Sequence, residues 1–153
     1  MGYASMARVA SGGGPVGCEQ AHMASKTAPP KRPRVLIVDD DPGVARSLAR
    51  GLRRVADVVI ELDPAAALER VKRGEMFDLV LCDVMMPGMR GPDLFERVVA
   101  CAPELAAAFV FASGGMPAQV QERLRATGRP CLEKPISIAA LLELLVPSVP
   151  TVE

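Results

Sequence analysis

The sequence predicts an α/β fold, a doubly wound parallel sheet of five strands with five flanking helices, and three observations carry that expectation. From Arg34 onward, short apolar runs alternate with amphipathic stretches, the pattern of strands buried on both faces beneath crossover helices. Gly, Pro and Asp punctuate the alternations where turns and helix ends would fall. Acids, a hydroxyl and a lysine end the apolar runs, at the edge where open α/β sheets place their chemistry. With 153 residues, 50% of them hydrophobic, the chain can bury one full core and is too short for two ordinary domains.

The first strand is predicted over 34–38, and Asp41-Pro42 opens the helix after it, Asp as cap and Pro in the first turn. Val44, Leu48, Leu52 and Val55 recur there at helical spacing. A second strand over 57–62 leads to a helix opened by Asp63-Pro64 and closed by Gly74. The third strand, 78–82, precedes a helix that starts at Gly91-Pro92 and turns Leu94, Phe95, Val98 and Val99 inward. The fourth, 107–112, precedes a helix that starts at Pro117, carries Val120 and Leu124 inward and ends at Gly128. The fifth, 130–132, precedes a helix capped by Ser137, with Ile138, Leu141, Leu142 and Leu145 inward and an end near Pro147. Five such units in so short a chain favour the flavodoxin-like strand order 2-1-3-4-5, whose switch point lies between strands 1 and 3.

Residues 1–32 are rich in Ala, Ser, Gly and Pro without apolar periodicity, and we expect a disordered or non-native extension there. One folded domain is expected over 33–147, with a short tail over 148–153. SGGGPVG in the extension lacks the Gly-Lys-Ser/Thr of a phosphate loop, and the single histidine, His22, reads as a solvated bystander. Residues 1–34 carry five Lys/Arg against one acid, and the remainder 13 against 17, so the folded part is acidic and offers no nucleic-acid-binding face. The four cysteines have neither metal-like nor C-x-x-C spacing. Cys82 and Cys131 fall in strand candidates and read as small core residues, reduced in a cytoplasmic protein. No run of about 18 apolar residues is present, so no membrane association is expected.

Asp39 and Asp40 end the run VLIVDD, Asp83 ends FDLVLCD, Ser113 ends FVFAS, and Lys134 lies in CLEKP. The strand order puts Asp39, Asp40 and Asp83 on either side of the switch-point crevice. Two carboxylates about 4 Å apart repel by roughly 4 kcal/mol at an effective dielectric near 20, and a divalent cation is the natural remedy. Hard oxygen donors with open positions suit Mg²⁺, which can join a carboxylate oxygen to an incoming phosphoryl oxygen. Lys134 can neutralise a second phosphoryl oxygen and Ser113 can donate to a third, while Gly114 and Gly115 keep the approach open. The constellation points to a carboxylate that accepts a phosphoryl group. Asp41 is set apart as the helix cap.

These residues resemble the receiver domain of two-component response regulators, the family that includes chemotaxis response regulators and the receiver modules of hybrid histidine kinases. The resemblance covers about 34–146. Asp40 to Asp83 is 43 residues, Asp83 to Ser113 is 30, and Ser113 to Lys134 is 21, in agreement with family spacing. It implies that Asp83 is the phosphoacceptor, that Asp39 and Asp40 are the acidic Mg²⁺ pair with the Met85 backbone carbonyl as a further ligand, that Ser113 is the switch hydroxyl and that Lys134 senses the phosphoryl group. It further implies a cis Lys134-Pro135 peptide, a sensor histidine kinase or histidine phosphotransfer protein as donor, and an output surface on helix 4, strand 5 and helix 5. One departure stands out: the family's usual aromatic three residues before the lysine is Cys131 here, so coupling through an inward-turning ring is not available.

Two rivals come from other classes. A haloacid-dehalogenase-type phosphatase also uses a strand-end Asp, a Ser/Thr and a Lys with Mg²⁺, and Asp39-x-Asp41 mimics its first motif. Pro42 follows where that family has small or hydroxylic residues, no acidic pair follows Lys134, and Asp83 would have no task. A non-phosphorylated scaffold of the receiver type would typically have lost the acceptor, the lysine or the acids, and all are present. The expectation is thus a signalling domain that catalyses only its own phosphorylation and dephosphorylation.

Overall fold

The computed structural model describes residues 31–145. The expected extension, His22 and Cys18 included, lies almost wholly outside the described residues, as do the end of the last helix near Pro147 and the expected tail. All elements belong to the unit that begins at Arg32. They run β1 (Arg34–Val38), α1 (Pro42–Leu52), β2 (Asp57–Glu61), α2 (Pro64–Lys72), β3 (Leu79–Asp83), α3 (Gly91–Cys101), a 3-10 segment (Pro103–Ala108), β4 (Phe109–Ser113), α4 (Ala118–Ala126), β5 (Cys131–Glu133) and α5 (Ile138–Leu145). The sheet is parallel throughout, in the order β2-β1-β3-β4-β5.

Alternation along the central strands divides the core between two faces. Val35, Ile37, Leu79, Leu81, Val110 and Ala112 pack with Leu48 and Leu52 of α1 and Leu141 of α5. Leu36, Val38, Val80, Cys82, Phe109 and Phe111 pack with Leu68 of α2, Leu94 and Val98 of α3, and Val120 and Leu124 of α4. Each fully buried Leu or Phe contributes about 1.5–3 kcal/mol relative to exposure, so the central strands anchor the edge that carries the site. Phe95 of α3 meets Phe109 edge-on, ring centroids 5.2 Å apart. Among the described residues, no helix is long and apolar enough to cross a membrane.

The caps read from the sequence hold. Asp41 Oδ1 accepts from the N–H groups of Gly43 (2.8 Å) and Val44 (3.3 Å), and Asp63 Oδ1 accepts from Ala65 (3.0 Å). Ser137 Oγ accepts from Ala140 at 3.4 Å. Gly74 and Gly128 follow α2 and α4 with φ of +89° and +67°, a region that favours glycine.

Five expectations are corrected, the first being that the fifth strand runs one residue later than expected, over Cys131–Glu133. The third strand runs one residue later than expected, so that Asp83 is its last residue, while Asp78 accepts from Arg34 N–H at 2.7 Å before the strand begins. The fourth begins at Phe109, because Pro103 starts a 3-10 segment that takes up Ala107 and Ala108. Val55 does not extend the buried face of α1: the helix ends at Leu52 and Val55 is 45% exposed. Cys131 is exposed and not a core residue, because β5 is an edge strand of three residues with the burial pattern exposed, intermediate, exposed.

Candidate functional site

The ends of β1 and β3 are adjacent, with Val38 in register with Cys82, and the residues that follow bring the acids together. One carboxylate oxygen from each of Asp39, Asp40 and Asp83 lies within 4.8 Å of the others. Asp39 and Asp83 are buried, at 3% and 6% exposure, whereas Asp40 is exposed. Asp39 is fixed from three sides: its N–H donates to Glu61 O (3.2 Å), its Oδ1 accepts from Asp41 N–H (2.9 Å), and its Oδ2 accepts from Lys134 Nζ (2.9 Å). Asp83 Oδ1 accepts from Met85 N–H at 3.3 Å and stands 3.4 Å from Lys134 Nζ.

Lys134 reaches this point because β5 lies beside β4, where Lys134 N–H donates to Ser113 O at 2.9 Å; the Lys134-Pro135 peptide is cis, as the family resemblance implies. Ser113 is buried at the end of β4, and its Oγ accepts from Gly115 N–H at 3.0 Å. Gly115 has φ +136°, a conformation that favours glycine and lets the loop turn back over Ser113. Gly91 opens α3 directly behind Asp83. A Cβ there would lie 2.8 Å from Asp83 O and 3.0 Å from Val84 Cα, so no larger residue fits without displacing the strand end.

Burial pushes the Asp83 carboxyl above the ordinary carboxylate range, and the charge of Asp39 pushes it further, against the opposing pull of Lys134 and the Met85 N–H. For Lys134, burial pulls the ammonium down, but the hydrogen bond to Asp39 and the charges of Asp83 and Asp39 outweigh it, and the net shift is upward. One ammonium thus serves two of the three acids, Asp39 and Asp83. Burial drives the Cys82 thiol far up, and burial with the charge of Glu133 raises the Cys131 thiol, so neither is activated as a thiolate.

Two open cavities border the cluster. One, of about 520 Å³, lies between the β4–α4 loop, α4 and β5, with Ser113, Gln121, Leu124, Cys131 and Lys134 in its walls. The other, of about 630 Å³, runs from Asp40 along the β3–α3 loop to Arg90, Asp93 and Arg123. Asp39, Asp40, Asp83, Met85, Ser113 and Lys134, all singled out in the sequence, therefore converge on one edge of the sheet. Arg90 and Arg123 were not singled out. The signal for Arg90 was readable, since an arginine precedes Gly91-Pro92 where a capping side chain would be expected.

Residues 35–146 match the response regulator receiver domain. The chain is 33% identical over 112 residues to the response regulator protein FleR of Pseudomonas aeruginosa, an alignment covering 73% of this chain and 24% of FleR. It is 34% identical over 110 residues to the transcriptional regulatory protein CutR of Streptomyces coelicolor, covering 71% of this chain and 50% of CutR. The virulence sensor protein BvgS of Bordetella pertussis is 34% identical over 133 residues, 80% of this chain and 11% of BvgS. The chain thus spans half or less of the length of these relatives. Among solved structures, a CheY-like receiver domain protein from Methanospirillum hungatei superimposes with a TM-score of 0.66 at 26% identity, over 74% of this chain and 90% of that one. A response regulator receiver protein from Pseudomonas putida gives 0.66 at 27%, over 75% and 96%. A matching strand order, a strand-end acid cluster with its lysine, and a family match across the folded unit lead to one conclusion: the chain belongs to the response regulator receiver domain family.

Proposed function

We propose that the domain is a phosphoacceptor that takes a phosphoryl group from the phosphohistidine of a sensor histidine kinase or histidine phosphotransfer protein onto Asp83. The observation that carries this reading is the Asp83 carboxylate, held at the end of β3 within 3.4 Å of the Lys134 ammonium and clustered with Asp39 and Asp40. An Asp83 oxygen attacks phosphorus, the P–N bond breaks, and the electron pair returns to the imidazole nitrogen. Lys134 meets the charge that builds on one phosphoryl oxygen and Ser113 donates its hydroxyl to another. The product is an acyl phosphate that water later hydrolyses or a second histidine takes over. Turnover is confined to the domain's own modification, as suits a signalling domain in the cytoplasm.

The donor set fits Mg²⁺: three hard carboxylates converge on one point, and the Lys134 ammonium pairs with only two of them, Asp39 and Asp83. Asp39, Asp40, Asp83 and the Met85 carbonyl would hold the ion, which supplies positive charge against the phosphoryl oxygens. On transfer, the Asp83 side chain carries roughly −1.5 to −2 charge in place of the single negative charge of the carboxylate, and gains three strong acceptors. Ser113 then exchanges its contact with Gly115 for one to the phosphoryl group, which draws the β4–α4 loop inward and alters the surface of α4, β5 and α5. With Cys131 lining the space beside that loop, the change travels through the loop and α4 and not through a rotating ring.

The test is the intact mass of the protein after incubation with acetyl phosphate or phosphoramidate and Mg²⁺. A hydroxylamine-labile gain of one phosphoryl group is expected in the parent and not in Asp83→Asn or in chelator. Equal labelling of Asp83→Asn would refute the acceptor assignment.

A further inference from the structure

The position before α3 departs from helix-capping chemistry. Asp41 and Asp63 cap α1 and α2 with side-chain oxygens, yet α3 has Arg90 as its N-cap residue, a side chain with no acceptor to offer. Only half of a capping box forms, the Asp93 carboxylate accepting from Arg90 N–H at 3.1 Å. A capping Ser, Thr, Asp or Asn would be the more stabilising choice, and a local rule broken beside a functional edge points to a task for the side chain.

The surroundings define that task. Arg90 is exposed and makes no side-chain hydrogen bond or ion pair among the described residues, whereas Arg123 across the same cavity is occupied by Asp93 (2.9 Å) and Glu96 (3.1 Å). The cavity is lined by Arg90 together with Asp40 and Met85, so an uncommitted arginine shares a wall with an acid that belongs to the Asp39, Asp40 and Asp83 cluster. A phosphodonor is itself an anion, and its approach to Asp39, Asp40 and Asp83 is opposed by their charge. Lys134 lies deeper, engaged with Asp39 and Asp83. From these placements we infer that Arg90 is a positioning residue for the phosphodonor: its guanidinium receives the phosphoryl oxyanion at the cavity mouth and offsets the repulsion of the acid cluster before transfer.

The inference rests on the phosphoacceptor reading and separates from it in the test. Arg90 acts on encounter and not on the reacting bond, so neutralising it raises the donor concentration for half-maximal rate and leaves the limiting rate unchanged. We would phosphorylate the full chain, Arg90→Ser and Arg90→Lys with acetyl phosphate and Mg²⁺ at rising ionic strength. Arg90→Ser is expected to lose about three- to tenfold in the second-order rate constant, with a flatter salt dependence, and Arg90→Lys to recover most of it. Because serine supplies a cap, Arg90→Ser should melt above the parent, which excludes damage to the fold as the cause of a slower rate. A second readout needs no transfer: inorganic phosphate titrated against backbone amide resonances of the β3–α3 loop should bind the parent more tightly than Arg90→Ser.

A parent that labels at Asp83 while Arg90→Ser matches its half-saturation and salt dependence overturns the inference and leaves the acceptor reading standing. A parent that fails to label, yet binds phosphate in an Arg90-dependent way, overturns the acceptor reading and keeps Arg90 as the anion contact. Phosphate binding indifferent to Arg90 in an unlabelled parent removes both.

Discussion

Asp83 and Lys134 feel the same crowding with opposite leanings: the fold resists the charged form of the acid and favours that of the lysine. A folded-state pKa for Asp83 above its unfolded value, about 3.9, means that the native state holds the proton more tightly. Stability contributed by this group is therefore lost as pH rises from the unfolded value through the folded one. In metal-free buffer at neutral pH, Asp83→Asn should melt above the parent and lose that slope; equal melting curves from acid to neutral pH would contradict it. Lys134→Ala leaves Asp39 and Asp83 buried without their ammonium and should cost about 1–3 kcal/mol, read by denaturant unfolding, a range below that of fully buried pairs because Lys134 is partly exposed. It should keep some Mg²⁺-dependent labelling while blunting the response of the β4–α4 loop, and full labelling with an intact loop response would show Lys134 dispensable. The acids, Ser113 and Lys134 were legible because each ends an apolar run. That Lys134 leans to Asp39 at 2.9 Å and stands 3.4 Å from Asp83 was not, since it depends on how the β5–α5 turn sits against β1 and β3.

At the scale of elements, the helix starts were the most readable feature, because Asp-Pro twice announces a cap followed by a first turn. The stretch PELAAA carries neither helical nor alternating periodicity, and its 3-10 geometry follows from Pro103 and the tight return to β4. The exposure of Cys131 was hidden for a different reason: apolar neighbours suggest a strand, but only the sheet order reveals that the strand is an edge. Gly91 joins element to site most directly, since α3 can begin where it does only if nothing projects toward Asp83 O. Gly91→Ala is expected to cost about 1–3 kcal/mol by overpacking against rigid backbone and to slow phosphorylation by shifting Asp83. Unfolding and labelling rates both unchanged would show that the strand end yields freely. The Arg123 pairs with Asp93 and Glu96 tie α4 to α3 across the cavity, but they are half-exposed and belong to the modest class of surface ion pairs.

For the molecule as a whole, the sheet order makes the acid cluster a property of the folded state alone. Asp39 and Asp83 are 44 positions apart, and nothing in an unfolded chain holds them near one another. A cation that needs both must bind the native state and not the unfolded one, so it stabilises the whole domain by mass action. At a hundredfold excess over its Kd the gain is about 2.7 kcal/mol, a rise in Tm on the order of 10 °C for a domain of this size. Mg²⁺ should therefore raise the melting temperature of the parent in a saturable way at constant ionic strength, reached with potassium chloride. The rise should be much smaller in Asp39→Asn and Asp40→Asn, the first lying in the buried layer and the second at its exposed rim. The size of the two losses also ranks the ligands, since a buried, pre-positioned carboxylate surrenders less freedom on binding than an exposed one. A Mg²⁺ effect reproduced by potassium chloride, or undiminished in both variants, would mean that the three acids answer to general screening and hold no ion among them.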